Sequence, residues 1–286
     1  MNWRKILFLL GVIIALCTPV LYAQEEPEAE VESGLGLSAG VDYWSTYFWR
    51  GTEFYGRGES AIFPWISYSL ADTGLSFTAC GEHPMEMLGD GVNKTLDGYN
   101  GIDLGAAYSY SIENVVTFGA NGWFYWYYVS KDKLGYNANY FSLIGSVTLD
   151  MVPILTPAIS YTHDFYVSKD ATANEKRFND FYIQLSLNQS FELSKESAIE
   201  LKLFGSFFNY KSQDTENQDR KGISDMGFAV KGTTTAGITT FYCQMNYAFV
   251  PHKDFYKTKV EDFNGNTGYI MDKHHWWASV GASVAL

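Results

Sequence analysis

The chain reads as an all-β protein: a transmembrane, up-and-down antiparallel β-barrel of about 12 strands, preceded by a cleavable signal peptide. Three observations predict this. Aromatics alone make up 17% of the 286 residues, yet beyond the N-terminal leader no apolar run is long enough for a membrane helix. Apolar residues instead alternate singly with polar ones, as they must where one face of a strand meets lipid and the other a lumen. The connections between the alternating segments are long and short by turns, the rhythm of a barrel with long outer loops and short periplasmic turns.

At the N-terminus, Arg4 and Lys5 precede an apolar run from Ile6 to Val20, and small Ala23 stands before polar Gln24. A basic start, a short apolar stretch and a small residue at the cut describe a secretory signal peptide over residues 1–23. Cys17 offers a competing lipoprotein cleavage, with bulky Leu16 before it. Residues 24–33 (QEEPEAEVES) are acidic, lack apolar periodicity, and read as a flexible tether. From 34 to 286 the pattern is continuous, so one barrel domain is expected. Export and an even strand count then imply the cell outer membrane with both termini periplasmic.

The formal charge is −12, which makes nucleic acid a poor partner. Lipid and the barrel-assembly machinery are the expected partners, and no cofactor is called for. Charged residues are only 18% of the chain, below the roughly 25% of soluble domains. Cys80 and Cys243 survive cleavage but fall on opposite faces of the wall, so no disulfide is expected even though export permits one.

The first strand shows the pattern best. From Leu35 to Trp49 the odd positions are mainly apolar (Leu37, Ala39, Val41, Tyr43, Tyr47), while the even ones include Ser38, Gly40, Asp42 and Arg50. This assigns odd positions to lipid. On that register Val41→Arg should be costly and Gly40→Arg tolerated. The same test places further strands near 61–70, 75–83, 101–111, 115–128, 140–149, 154–165, 180–192, 198–209, 223–231, 238–249 and 275–286. Pro64 and Pro157 fall inside strands, where each removes a ladder donor. The long connections are 51–60, 84–100, 129–139, 166–179, 210–222 and 250–274.

Aromatics mark the outer interface. Tyr47 and Trp49 close the first strand, Phe124, Trp126 and Tyr128 the fifth, and Phe249 the eleventh, while Trp276 opens the last; all are assigned to the lipid face as a girdle. The last strand alternates Trp276, Ala278, Val280, Ala282 and Val284 with Trp277, Ser279, Gly281 and Ser283, and ends on Leu286. Such a strand is the expected handle for the assembly machinery.

The run Tyr47-Phe48-Trp49-Arg50-Gly51, followed by Ala61-Ile62-Phe63-Pro64, resembles the TorF-like porin family. Ile102-Asp103-Leu104, Pro157 to Tyr161 and Phe181-Tyr182-Ile183-Gln184-Leu185-Ser186-Leu187 extend the resemblance over most of the chain. It implies a porin-like barrel of unassigned substrate and supplies no ligand residues.

Catalytic chemistry finds little support. A barrel phospholipase needs a Ser nucleophile, a His base and an orienting polar residue on the wall, and its His–x–Ser–Asn–Gly run is absent. His163 reads as a polar girdle residue, while His83, His252, His274 and His275 fall in or beside loops and read as solvated. No metal spacing is present, so no enzyme is expected. The lumen face is expected to carry Asp42, Arg50, Glu82, Asp103, Asp164, Glu200 and Lys202, with Asn121, Gln184, Asn188, Gln244 and Asn246. Trp44, Phe48, Trp123 and Tyr125 also point inward. These residues describe either a network plugging the barrel or a wetted pore with a charged constriction. The favoured reading is a passive channel for small polar solutes. The alternative is a closed barrel whose loops act as antigen or adhesin, with Phe255, Tyr256, Phe263 and Tyr269 in loop 250–274 as candidates. Inward carboxylates outnumber inward cations, which predicts a modest cation preference, and Arg50 is expected to anchor loop 51–60 or meet an anionic group.

Overall fold

Period-two side chains give each strand an inner and an outer row, and a sheet of this kind removes its edges only by closing. The computed structural model describes residues 36–50, 52–53, 60–71, 73–85, 100–128, 139–166, 180–210, 220–252, 257–261, 267–271 and 273–286. The expected signal peptide and acidic tether lie outside them. The wall consists of β1 (Leu37–Trp44), β2 (Ser60–Leu70), β3 (Leu75–Met85), β4 (Gly101–Ile112), β5 (Val116–Trp126) and β6 (Tyr140–Thr148). It continues through β7 (Thr156–Tyr166), β8 (Asp180–Glu192), β9 (Ser197–Tyr210), β10 (Arg220–Ala236), β11 (Thr239–Phe249) and β12 (His274–Ala285). Each strand pairs antiparallel with its sequence neighbour, and β1 closes on β12.

The polarity of the molecule is inverted relative to a water-soluble sheet. Leu104, Leu143, Leu185, Leu203 and Phe241 point outward and are 47–59% exposed, whereas Glu82, Asp164 and Asp180 are among the largest fully buried side chains. Only a lipid surround makes such an outer face stable. Cys80 faces the lumen and Cys243 the outside, and both are free.

The short turns lie at one end. The tightest is between β10 and β11, where Gly237, with φ +59°, starts a two-residue turn suited to glycine. This is tighter than the 232–237 connection expected from the sequence, because Gly232 to Ala236 stay paired with β11 and extend the ladder. Pro64 leaves a gap in the β2–β3 ladder between the pairs Ile62↔His83 and Trp65↔Cys80, the cost of a missing donor.

Two further departures from strict alternation matter. On β10, Ser206↔Asp225 is followed by Phe207↔Ile223, so Ser224 is an extra residue. This β-bulge turns Ser224 and Asp225 both toward the interior, where they are buried. More consequentially, β1 does not run to Trp49. It stops at Trp44, and the chain leaves the wall. Ser45 ends the ladder by taking over its hydrogen bonds: its amide donates to Ala278 O at 2.8 Å and its Oγ accepts from the Ala278 amide at 2.9 Å. Beyond it a small ribbon pairs Phe48–Trp49 with Thr52–Glu53, while Lys257–Glu261 pairs with Thr267–Met271 in the last long connection. The side chains of Phe255, Tyr256, Phe263 and Tyr269 lie outside the described residues.

Candidate functional site

Residues 45–50 fold into the lumen and cross it. Tyr47 packs edge-on to Trp44 at 5.6 Å and against Phe63 at 5.4 Å, both lumen-facing. It therefore belongs to the interior and not to the lipid girdle, correcting the expectation that odd positions of this segment face outward. The side chain of Trp49 lies outside the described residues. Phe48 turns the other way. It stacks on Trp277 at 4.7 Å and lies 4.8 Å from the His275 ring, forming a buried cluster with Phe208, Ala248 and Val250. His275 is thus a buried lumen residue rather than a solvated one.

Arg50 sits at the turn of this ribbon with φ +49°, a left-handed conformation that costs a residue with a Cβ about 1–2 kcal/mol. Its guanidinium forms a forked ion pair with Asp164 on β7, one arm measuring 3.1 Å. It also lies 5.4 Å from the ring centres of Tyr182 on β8 and Phe208 on β9. Arg50, expected either to anchor loop 51–60 or to meet an anionic group, is paired here with a carboxylate on the far wall. Five strands lie between β1 and β7 in either direction around the barrel. From Trp44 to Arg50 the chain reaches about 20 Å at most, against a twelve-stranded barrel roughly 24 Å across. The Arg side chain closes the rest. Asp164 accepts a further hydrogen bond from Ser142 on β6, and Asp180 on β8 stands directly opposite it in the ladder.

The register points Asp42, Glu82, Asp103, Asp164, Glu200 and Lys202 into the lumen, and Arg50 enters it from the connection. They do not converge on one point. Glu82 and Asp103 are both buried, diagonal to one another on adjacent strands, and the Tyr127 hydroxyl donates to Glu82 at 3.1 Å. Asp42 and Tyr242 flank Gly281 from the two strands beside β12. On the β8–β10 wall, Lys202 donates to Gln184 at 2.6 Å, and Tyr182 donates to Ser206 at 2.7 Å. Ser206 and Ser224 both donate to Asp225.

Burial divides the lumen along its axis. Toward the long connections, Glu82, Ser142, Asp164 and Ser224 are dry. Toward the short turns, the Lys231–Glu200 pair, 3.5 Å apart, keeps side-chain exposures of 33% and 49%. There Thr156, Asn188, Lys202 and Gln244 help to line a chamber of about 310 Å³. Among the described residues no group of three or more His, Cys, Asp or Glu side chains is arranged to hold a metal. His163 faces outward, its ring nitrogen 3.0 Å from the Tyr161 hydroxyl.

Sequence reasoning missed Asp180, Lys231 and Asp225. Asp180 and Lys231 continue the alternation of Tyr182–Gln184 and Ala229, so the signal was present. Asp225 lies at the bulge, where alternation gives the wrong face on one side.

No family model matches the chain. No curated protein matches it in sequence. Among solved structures it is similar to the NanC porin, with a TM-score of 0.52 and 11% identity over 87% of this chain and 100% of that one. It is also similar to an outer membrane channel from Pseudomonas putida F1, with a TM-score of 0.50 and 11% identity over 92% of this chain and 100% of that one. At such identities the likeness is one of fold: the chain has the barrel architecture found in outer-membrane channels.

Proposed function

We propose that this protein is a passive outer-membrane channel for small polar solutes, a porin of the TorF-like kind, narrowed near its outer end by its first connection. The observation that carries the reading is a twelve-stranded barrel whose turn-end lumen is solvent-accessible and lined by Glu200, Lys202, Lys231, Asn188 and Gln244. Eight strands leave an interior that side chains fill, and sixteen leave an open channel; twelve leave room that the inward segment partly occupies. In this orientation the short turns and both termini face the periplasm, and β12 is the strand offered to the assembly machinery. The resemblance to TorF-like porins gains interest because its Tyr47–Gly51 run includes the inward-folded residues.

Planar-bilayer recording of refolded protein tests this. Discrete conductance steps are expected. Persistent silence of protein that is folded, as shown by its gel mobility before and after boiling, overturns it. One observation favours a second reading: the dry outer half of the lumen, wedged by Phe48, suits a closed barrel acting through its loops as antigen or adhesin. The same silence would support that reading.

A further inference from the structure

We infer that Arg50 and Asp164 form a latch that holds residues 45–50 inside the barrel, so that the width of the lumen near its outer end is set by one ion pair. Several observations converge. The segment leaves the wall at a defined point, Ser45, which replaces the lost ladder bonds. Arg50 is held in an unfavourable backbone conformation at the tip. Its charge is buried, with side-chain exposures of 9% for Arg50 and 2% for Asp164, in a geometry that fixes both direction and distance. The neighbouring groups all favour the seat. Ser142 donates to Asp164, the Tyr182 and Phe208 rings flank the guanidinium, and Asp180 adds a second carboxylate across the ladder. Phe48 and Tyr47 follow Arg50 inward and fill the space on either side of the segment. Removing the Asp164 and Asp180 carboxylates takes away the negative charge on this side of the buried guanidinium, which shifts the balance toward water. The segment would then swing out toward the loop end, taking both aromatics with it.

The latch is testable without reference to transport. Trypsin cleaves after arginine, and Arg50 inside the barrel is out of its reach. Folded wild-type protein in detergent micelles should therefore yield almost no fragment ending at Arg50, whatever happens at loop sites. Asp164→Asn combined with Asp180→Asn removes both carboxylates while keeping side-chain shape. Because proteolysis follows the population of the open form, cleavage after Arg50 should rise on the order of a hundredfold. Barrel integrity is checked by gel mobility before and after boiling. Arg50→Gln provides a second reading if the double variant does not fold: hydrogen exchange at residues 45–50 should quicken while exchange in β7 and β8 stays unchanged. Cleavage after Arg50 in folded wild type at the rate of the loop sites overturns the latch. So does an unchanged rate in the folded double variant, or unchanged exchange in Arg50→Gln. Conductance of the same variants then bears on the channel separately. A larger single-channel current in the unlatched protein is expected of a pore, and silence combined with increased cleavage would leave the latch standing and remove the channel.

Discussion

Arginine placed at two neighbouring alanines of β4 tests which face of the wall meets lipid. Ala106 faces outward and is exposed near the middle of the strand; Ala107 faces the lumen opposite Ser76 and Asn121. The pair is preferable to Val41 and Gly40. A Cβ at Gly40 would lie 2.6 Å from the Trp65 ring and 2.7 Å from Ala282 O, so the tolerance expected there from sequence does not hold. Gly40 is the space into which Trp65 lies, as Gly105 is for Trp123. At Ala106 an arginine meets hydrocarbon near mid-membrane, a cost of about 2–4 kcal/mol. That corresponds to a roughly 30- to 900-fold loss in the folding equilibrium. At Ala107 the guanidinium reaches a polar lumen, and the change should stay within about 0.5 kcal/mol. Urea titration in lipid vesicles, followed by tryptophan fluorescence, measures both. Equal losses at the two sites, or the larger loss at Ala107, would refute the register, since a slip by one residue exchanges every inward and outward side chain.

Three further outcomes are expected. Trypsin added to intact cells should spare Lys195 in the short β8–β9 turn and cut only in long connections; cleavage at Lys195 without lysis would invert or break the topology. A charged thiol reagent should modify Cys80, which faces the lumen, faster than Cys243, which faces the membrane, and reductant should leave gel mobility unchanged; equal labelling rates would count against the assigned faces. Reversal potentials should show a modest cation preference that shrinks at high salt, where screening shortens to a few ångströms, and Lys202→Glu should strengthen it. Anion preference in the wild type would overturn the weight given to the inward carboxylates.

Strand positions were largely legible because lipid and lumen impose alternation on every wall residue; β8 occupies the range that alternation assigns it, 180–192. The end of β1 was not, and the reason is local. Ser45 to Arg50 is rich in strand-favouring aromatics, Tyr47, Phe48 and Trp49, and a two-residue ribbon uses the same extended backbone as a strand, so composition does not mark where the chain leaves the wall. The lumen face could be read residue by residue, yet the pairing of Arg50 with Asp164 could not. The two are 114 positions apart, and a periodic pattern carries only nearest-neighbour information. The bulge at Ser224 failed for a related reason: one inserted residue changes phase without changing composition.

The inward segment also has a mechanical consequence. A cylinder of hydrogen-bonded strands resists stretching around its rim far better than flattening across it, since flattening only changes the angles between neighbouring strands. Residues 45–50, fixed to the ladder at Ser45 and to β7 through Arg50, run as a chord between opposite sides of the ring. A chord sets a diameter. As a latch, the Arg50–Asp164 pair would add a tie across the barrel to the pairing around it, and lateral pressure on the wall would then be shared by one charged pair.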